Sequence, residues 1–222
     1  MKSLAFALTL VALASPADAA LVVDNTALQN SSISSFGEPN TATYGQTFTV
    51  GADNRLDSFT FFVNDRQDSD FVDFRAYVYA WDGSKASGSA LFQSGNLSTT
   101  NNGGANGFEA INIFTGGTQL QSGQQYVAFF SASGLFDGQN GTSSWASVTG
   151  ASSVAGGGFV YLNNGNNLAM LTTQAWSQNF QCGGCDLSYR MSFNSSDVPE
   201  PTSLALVGLG LAGVWLRKRK AG

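Results

Sequence analysis

Between residues 20 and 197 apolar and polar side chains alternate in short runs, the period of a strand with one buried face rather than of a helix. In Phe59-Thr60-Phe61-Phe62-Val63 the side chains of Phe59, Phe61 and Val63 share a face, and from Phe74 to Ala80 the residues Ala76, Val78 and Ala80 lie opposite Tyr77 and Tyr79. Such runs predict strands over 44–50, 55–63, 71–81, 90–93, 108–114, 125–131, 159–162 and 187–193. Stretches rich in Gly, Asn and Ser at 94–107, 137–144, 149–158 and 163–167 read as loops. Period-two faces need a second sheet or a closed barrel to cover them. The expected fold is therefore all-β, a jelly-roll-like β-sandwich forming one domain over residues 20–197. No repeat of fixed period is present, which argues against a propeller or a β-helix.

The two ends depart from this pattern. Met1 and Lys2 precede an apolar run from Leu4 to Leu13 and then Ser15-Pro16-Ala17-Asp18-Ala19, the three-part layout of a secretory signal peptide. Ala17 and Ala19 have the spacing of a signal-peptidase site, so residues 1–19 are expected to be removed and the mature chain to begin at Ala20. At the other end, residues 203–216 carry no charge and are followed at once by Arg217, Lys218, Arg219 and Lys220. A helix over the apolar stretch rises only about 21 Å at 1.5 Å per residue, short of a ~30 Å hydrocarbon core, so length alone does not make it a span. Context favours a single transmembrane helix: Trp215 suits an interface, the basic cluster suits a cytoplasmic stop, and its long side chains can snorkel. The domain N-terminal to it then faces outward.

Immediately before this stretch stand Pro199, Glu200 and Pro201. Two prolines around one acid cannot continue a helix or a central strand, so the peptide stays extended and accessible outside the membrane. A Pro-Glu-Pro motif, a glycine-containing apolar stretch and a terminal basic cluster, in that order, resemble the PEP-CTERM sorting tail over residues 198–222. The resemblance implies recognition by an exosortase, a membrane-embedded cysteine protease-transpeptidase, with cleavage near Pro199 to Pro201 and delivery to the cell surface or the exopolysaccharide matrix. Residues 45–48 and 74–83 also resemble the body of other proteins with such tails, a likeness that carries no known activity.

Composition narrows the chemistry. Residues 20–197 hold Arg55, Arg66, Arg75, Lys85 and Arg190 against thirteen Asp and Glu, a balance of −8, which disfavours nucleic acid as a partner. The sequence has no histidine, which removes Ser-His-Asp and Cys-His catalysis and the common His-containing zinc sites. Lys85 follows Ser84 in a polar turn and reads as solvated rather than as the base of a Ser-Lys dyad, which would require desolvation. Cys182 and Cys185, two glycines apart, are expected to form a local disulfide in an oxidising exported setting. Its loop is too short to contribute more than modest stability.

Asp65, Asp68, Asp70 and Asp73 crowd one stretch and could offer hard oxygen ligands to calcium, though they lack the EF-hand spacing; a solvated acidic loop balanced by Arg66 and Arg75 is the simpler reading. A glycosidase would need two facing carboxylates, a pairing that the sequence does not reveal for Glu38, Glu109 or any aspartate. Trp145 and Trp176 sit among polar neighbours, where an exposed indole could stack on a sugar ring; buried loop anchors are the simpler reading. The expectation is a non-enzymatic surface or matrix protein with no cofactor, handled by export machinery and an exosortase, membrane-anchored as a precursor and then released to the cell surface, with extracellular polysaccharide as a candidate ligand. A secreted carbohydrate-active hydrolase and a self-assembling structural protein are the alternatives.

Overall fold

The computed structural model describes residues 20–39, 41–65, 70–100, 107–150, 157–178 and 184–194. Thirteen strands are formed: β1 (Leu21–Asp24), β2 (Ser31–Gly37), β3 (Thr43–Thr49), β4 (Arg55–Asn64), β5 (Asp73–Trp81), β6 (Ala86–Gln93), β7 (Leu97–Ser98), β8 (Glu109–Gln119), β9 (Gln125–Ser131), β10 (Thr142–Thr149), β11 (Gly158–Leu162), β12 (Cys185–Leu187) and β13 (Tyr189–Asn194). They build two antiparallel sheets packed as a sandwich. One has seven strands in the order β1-β13-β4-β10-β12, with β2 beside β10 and β8 beside β4; the other has six in the order β11-β3-β9-β5-β6, with β7 beside β5. From β3 onward the chain crosses between the sheets at most connections, the exceptions being the β5-β6-β7 segment and the step from β12 to β13.

The sides of β4 chosen by periodicity are the sides observed. Phe59, Phe61 and Val63 are buried between the sheets, while Ser58 and Thr60 face outward. The inner layer converges on Trp145, whose ring lies 5.1 Å from Phe36, 5.2 Å from Phe61, 5.1 Å from Phe130 and 5.6 Å from Tyr44. Edge-to-face contacts of this kind contribute about 0.5–1.5 kcal/mol each beyond burial. Gly45 permits the close approach of β3 to β9, since a Cβ there would stand 2.7 Å from that of Phe129.

Both faces of β5 are buried. Ala76 and Val78 join the central layer, whereas Tyr77, Tyr79 and Trp81 face away from it and form a second cluster with Val127, Phe129, Val160 and Leu162. That outer cluster is covered by the connection after β11, which contributes Leu168, Met170, Leu171 and Trp176 around a one-turn helix, Met170–Thr173.

Several expectations are corrected: β7 falls within the stretch expected as loop at 94–107, and the strand expected over 187–193 is interrupted at Ser188, where β12 ends and β13 begins. β10 occupies residues expected as loop at 142–144 and extends through an unpredicted stretch to Thr149. β1 and β2 were not anticipated. β8 runs five residues beyond the predicted 114, turning at Gly116 and Gly117, both at positive φ, where its register with β4 shifts.

Candidate functional site

Four acidic residues, Glu38, Asp70, Asp73 and Asp137, line one cleft together with Phe71, Val72 and Phe136. The loops that form it are held by these same carboxylates. Glu38 accepts the backbone N–H of Asp137 at 3.0 Å and of Gly138 at 3.1 Å, one on each oxygen, and Asp137 accepts that of Gln139 at 2.8 Å. Glu109 is placed elsewhere and accepts the N–H and hydroxyl of Thr100. Glu38 and Glu109 therefore do not face one another across a substrate-sized opening. Of the candidate calcium ligands, Asp65 is buried, Asp70 lines the cleft, Asp73 is exposed at the start of β5, and Asp68 lies outside the described residues. Among the described residues no three His, Cys, Asp or Glu side chains converge as a metal site would require.

Both tryptophans are corrected as sugar platforms. Trp145 has no exposed surface and stands at the centre of the inner layer; Trp176 is 4% exposed and donates its indole N–H to the Leu171 carbonyl at 2.9 Å. The ring of Trp176 packs edge-on to Trp81 at 5.6 Å and to Phe129 at 5.1 Å. An aromatic platform needs a free face, and neither indole has one.

The turn at Ser84 and Lys85 is organised by Asp82. One carboxylate oxygen accepts the N–H of Ser84 and of Lys85, both at 2.9 Å, and the Ser84 hydroxyl at 3.0 Å, while the other pairs with the Lys85 ammonium at 3.0 Å. The Lys85 side chain, with the Ser84 and Lys85 N–H groups, holds the Asp82 carboxyl well below the usual range. Ser84 is thus a donor to a carboxylate, the opposite of a nucleophile activated by lysine. Cys185 is buried and disulfide-bonded at the start of β12, and Cys182 lies outside the described residues.

Two polar features escaped sequence reasoning. Asn25, 1% exposed, donates to the Leu187 carbonyl at 2.8 Å and accepts the Tyr189 N–H at 2.7 Å, so its amide replaces a strand neighbour where β12 and β13 separate at Ser188. Gln46 reaches from β3 in the opposite sheet, donating to Asp186 at 2.8 Å and accepting the Leu187 N–H at 2.8 Å. Both pin the segment that leads into the last strand, and no local motif announces either. A shallow groove of about 320 Å³ opens nearby on the outer side of the seven-stranded sheet, lined by Thr26, Gln29, Phe62, Phe108, Ala146 and Ser188.

Pro199, Glu200, Pro201 and the basic cluster Arg217–Lys220 lie outside the described residues. Among the described residues no helix is long and apolar enough to cross a membrane. Residues 197–220 match the family model of the PEP-CTERM protein-sorting motif, so the chain carries that motif at its C-terminal end. No curated protein matches the sequence. Among solved structures, a variant of the Clostridial cysteine protease Cwp84 after propeptide cleavage superposes with a TM-score of 0.52 at 12% identity, over 80% of this chain and 40% of that one. The cysteine protease and lectin-like domains of Cwp84, a surface layer associated protein of Clostridium difficile, give a TM-score of 0.45 at 14% identity, over 71% of this chain and 33% of that one. The chain spans well under half of either structure, and the first likeness concerns the fold alone.

Proposed function

We propose that this chain, a two-sheet sandwich bearing a PEP-CTERM sorting tail, is an exported, non-enzymatic component of the cell surface or extracellular matrix, held in the inner membrane by its apolar tail until an exosortase cuts near Pro199 to Pro201. The observation that carries the reading is the place of the motif. The match begins at residue 197, and the last strand, β13, ends at Asn194. Cleavage at the proline-flanked glutamate therefore leaves every described strand in the released domain. The sandwich is of jelly-roll-like type, a reading supported by the repeated crossing of the chain between its sheets. The non-enzymatic reading is supported by the lack of histidine and by carboxylates engaged in holding turns. Polysaccharide contact is assigned to the groove around Phe62 and Phe108, where aromatic edges and the Gln29 amide stand together.

Intact-mass measurement on the protein recovered from its own cells tests the sorting reading. The expected species begins at Ala20 and lacks residues 202–222, and Glu200→Ala shifts the protein to an unprocessed form in the membrane fraction. Retention of residues 202–222 in every mature molecule overturns it. For the groove, Phe62→Ala and Phe108→Ala are expected to release the protein from the matrix without changing its fold; unaltered retention rejects that assignment.

A further inference from the structure

Along the seven-stranded sheet, β8, β4, β13 and β1 lie side by side, and both outer strands of this run are open. Among the described residues β8 pairs with β4 on one side only, and β1 pairs only with β13. An open edge offers a row of backbone donors and acceptors to another strand, and proteins that stay monomeric blunt such edges with lysine, proline or inward-pointing charge. β8 is eleven residues long, its one charge is Glu109 at the first position, and no proline or lysine occurs in it; its bulge lies beyond Phe114, so Glu109 to Phe114 keep a regular register with β4 and form the open part of the edge. It carries Phe114 instead, 75% exposed, the most exposed large apolar side chain among the described residues.

The register places the opposite edge in correspondence. Phe114 pairs with Ser58, Ser58 with Ser192, and Ser192 with Val22, which is 53% exposed on β1. One row across the outer face thus begins in an exposed phenylalanine and ends in an exposed valine, with two serines between. Because each neighbour is antiparallel to the last, β8 and β1 run in opposite directions. A second molecule displaced along the sheet without reversal therefore presents its β1 antiparallel to β8 of the first, in line with the existing alternation. We propose that the β8 edge is an assembly surface whose partner is the β1 edge of another copy of this chain, with Phe114 of one molecule set beside Val22 of the next. Such a contact is heterologous: it uses two different patches and does not close, so it generates open chains rather than a dimer. The balance of −8 over residues 20–197 opposes close approach at low salt, and screening favours it.

Sedimentation of the processed protein from its own cells, from about 1 to about 200 µM, tests this by mass action. The expected weight-average mass rises past that of a dimer and rises further with added salt. Phe114→Lys and Val22→Lys, both at exposed positions, are each expected to remain monomeric alone, whereas an equal mixture of the two forms a one-to-one dimer, since each retains one intact edge. Phe114→Thr, which puts a β-branched side chain of high strand propensity in place of the ring, is expected to weaken assembly at least about tenfold with an unchanged circular dichroism spectrum. A wild-type protein monomeric at every concentration overturns the proposal. So does self-association of Val22→Lys alone, which indicates a closed β8-to-β8 pair. Intact mass on the same samples reads the processing separately, so failure of assembly and failure of tail removal are not confused.

Discussion

The outer faces of the two sheets solve one problem in opposite ways. On the six-stranded sheet, β5 and β9 present Tyr77, Tyr79, Val127 and Phe129 away from the sandwich, and the chain lays the Trp176 connection over them. On the seven-stranded sheet two of the outward rows, next to the one that holds Phe62 and Ala110, are Phe114-Ser58-Ser192-Val22 and Asn112-Thr60-Arg190-Asp24. The second is tied laterally by the Thr60 hydroxyl to Asn112 at 3.0 Å and by Arg190 to Asp24 at 2.7 Å. Desolvation alone would raise the Asp24 carboxyl, yet its hydrogen bonds from Thr26 and Arg190 outweigh that and hold it below its ordinary value. A face already satisfied by such pairs does not need a covering segment. Where the strand alternates apolar with apolar, the fold supplies a cover; where it alternates apolar with hydroxyl, amide or ion pair, it leaves the face, and its edges, to other molecules.

Trp145→Ala breaks the layer that both sheets share and carries the largest expected effect. Loss of a fully buried indole with four aromatic neighbours costs about 3–5 kcal/mol, and the melting temperature falls by about 6–20 °C. Trp176→Ala sharpens the contrast, because it removes the pin of one cover and one hydrogen bond. We expect about 2–3 kcal/mol, together with loss of amide-exchange protection at 170–173 and not at β4 or β13. Equal costs, with protection lost on both sheets, would mean that the cover belongs to the central layer. Asn25→Ala follows at about 1–3 kcal/mol, since a buried carbonyl and a buried N–H lose their side-chain partner Asn25 at the β12–β13 break. Chemical denaturation of the three proteins side by side gives the order.

That order also marks where the sequence was legible. β3, β4, β5 and β9 were readable because their apolar positions alternate, and β9 begins and ends at the predicted residues. β10 was not, because Ser143, Ser144 and Ser147 write a polar strand through the middle of the molecule. The Ser143 and Ser147 hydroxyls and the Trp145 indole N–H find no hydrogen-bond partner among the described residues, a cost that sequence reasoning treats as a reason for a loop. The tryptophans show the same limit: their polar neighbours along the chain suggest a sugar platform, yet both are the buried anchors of the simpler reading. Neighbours along the chain are serine and alanine, while the neighbours that bury Trp145 come from β2, β3, β4 and β9. The sorting tail, by contrast, is a linear motif whose parts need no partner distant in sequence, and the family match returns it over residues 197–220.

The smallest effect belongs to the turn that ends β5. Asp82 and Lys85 are each about one-third exposed, and their pair sits in a local turn that the backbone N–H groups of Ser84 and Lys85 already organise. Lys85→Met is therefore expected to leave the melting temperature at pH 7 within about 2 °C, as for other solvated ion pairs. Its signature is pH dependence. The Asp82 carboxyl is held below its unfolded value, so its contribution is complete above about pH 4 and is lost as the pH falls through the folded value. Removing the ammonium narrows that window, and the acid limb of the stability curve becomes shallower. The alkaline limb serves as the control. Burial raises the Tyr44 hydroxyl against the lowering effect of its hydrogen bond to Thr41, so stability falls as the pH rises above about 10, where only the unfolded chain ionises. Thermal melts of both proteins from pH 2 to pH 11 are expected to differ on the acid side alone; a difference confined to the alkaline side would show that Lys85 acts on the buried layer and not on its own turn.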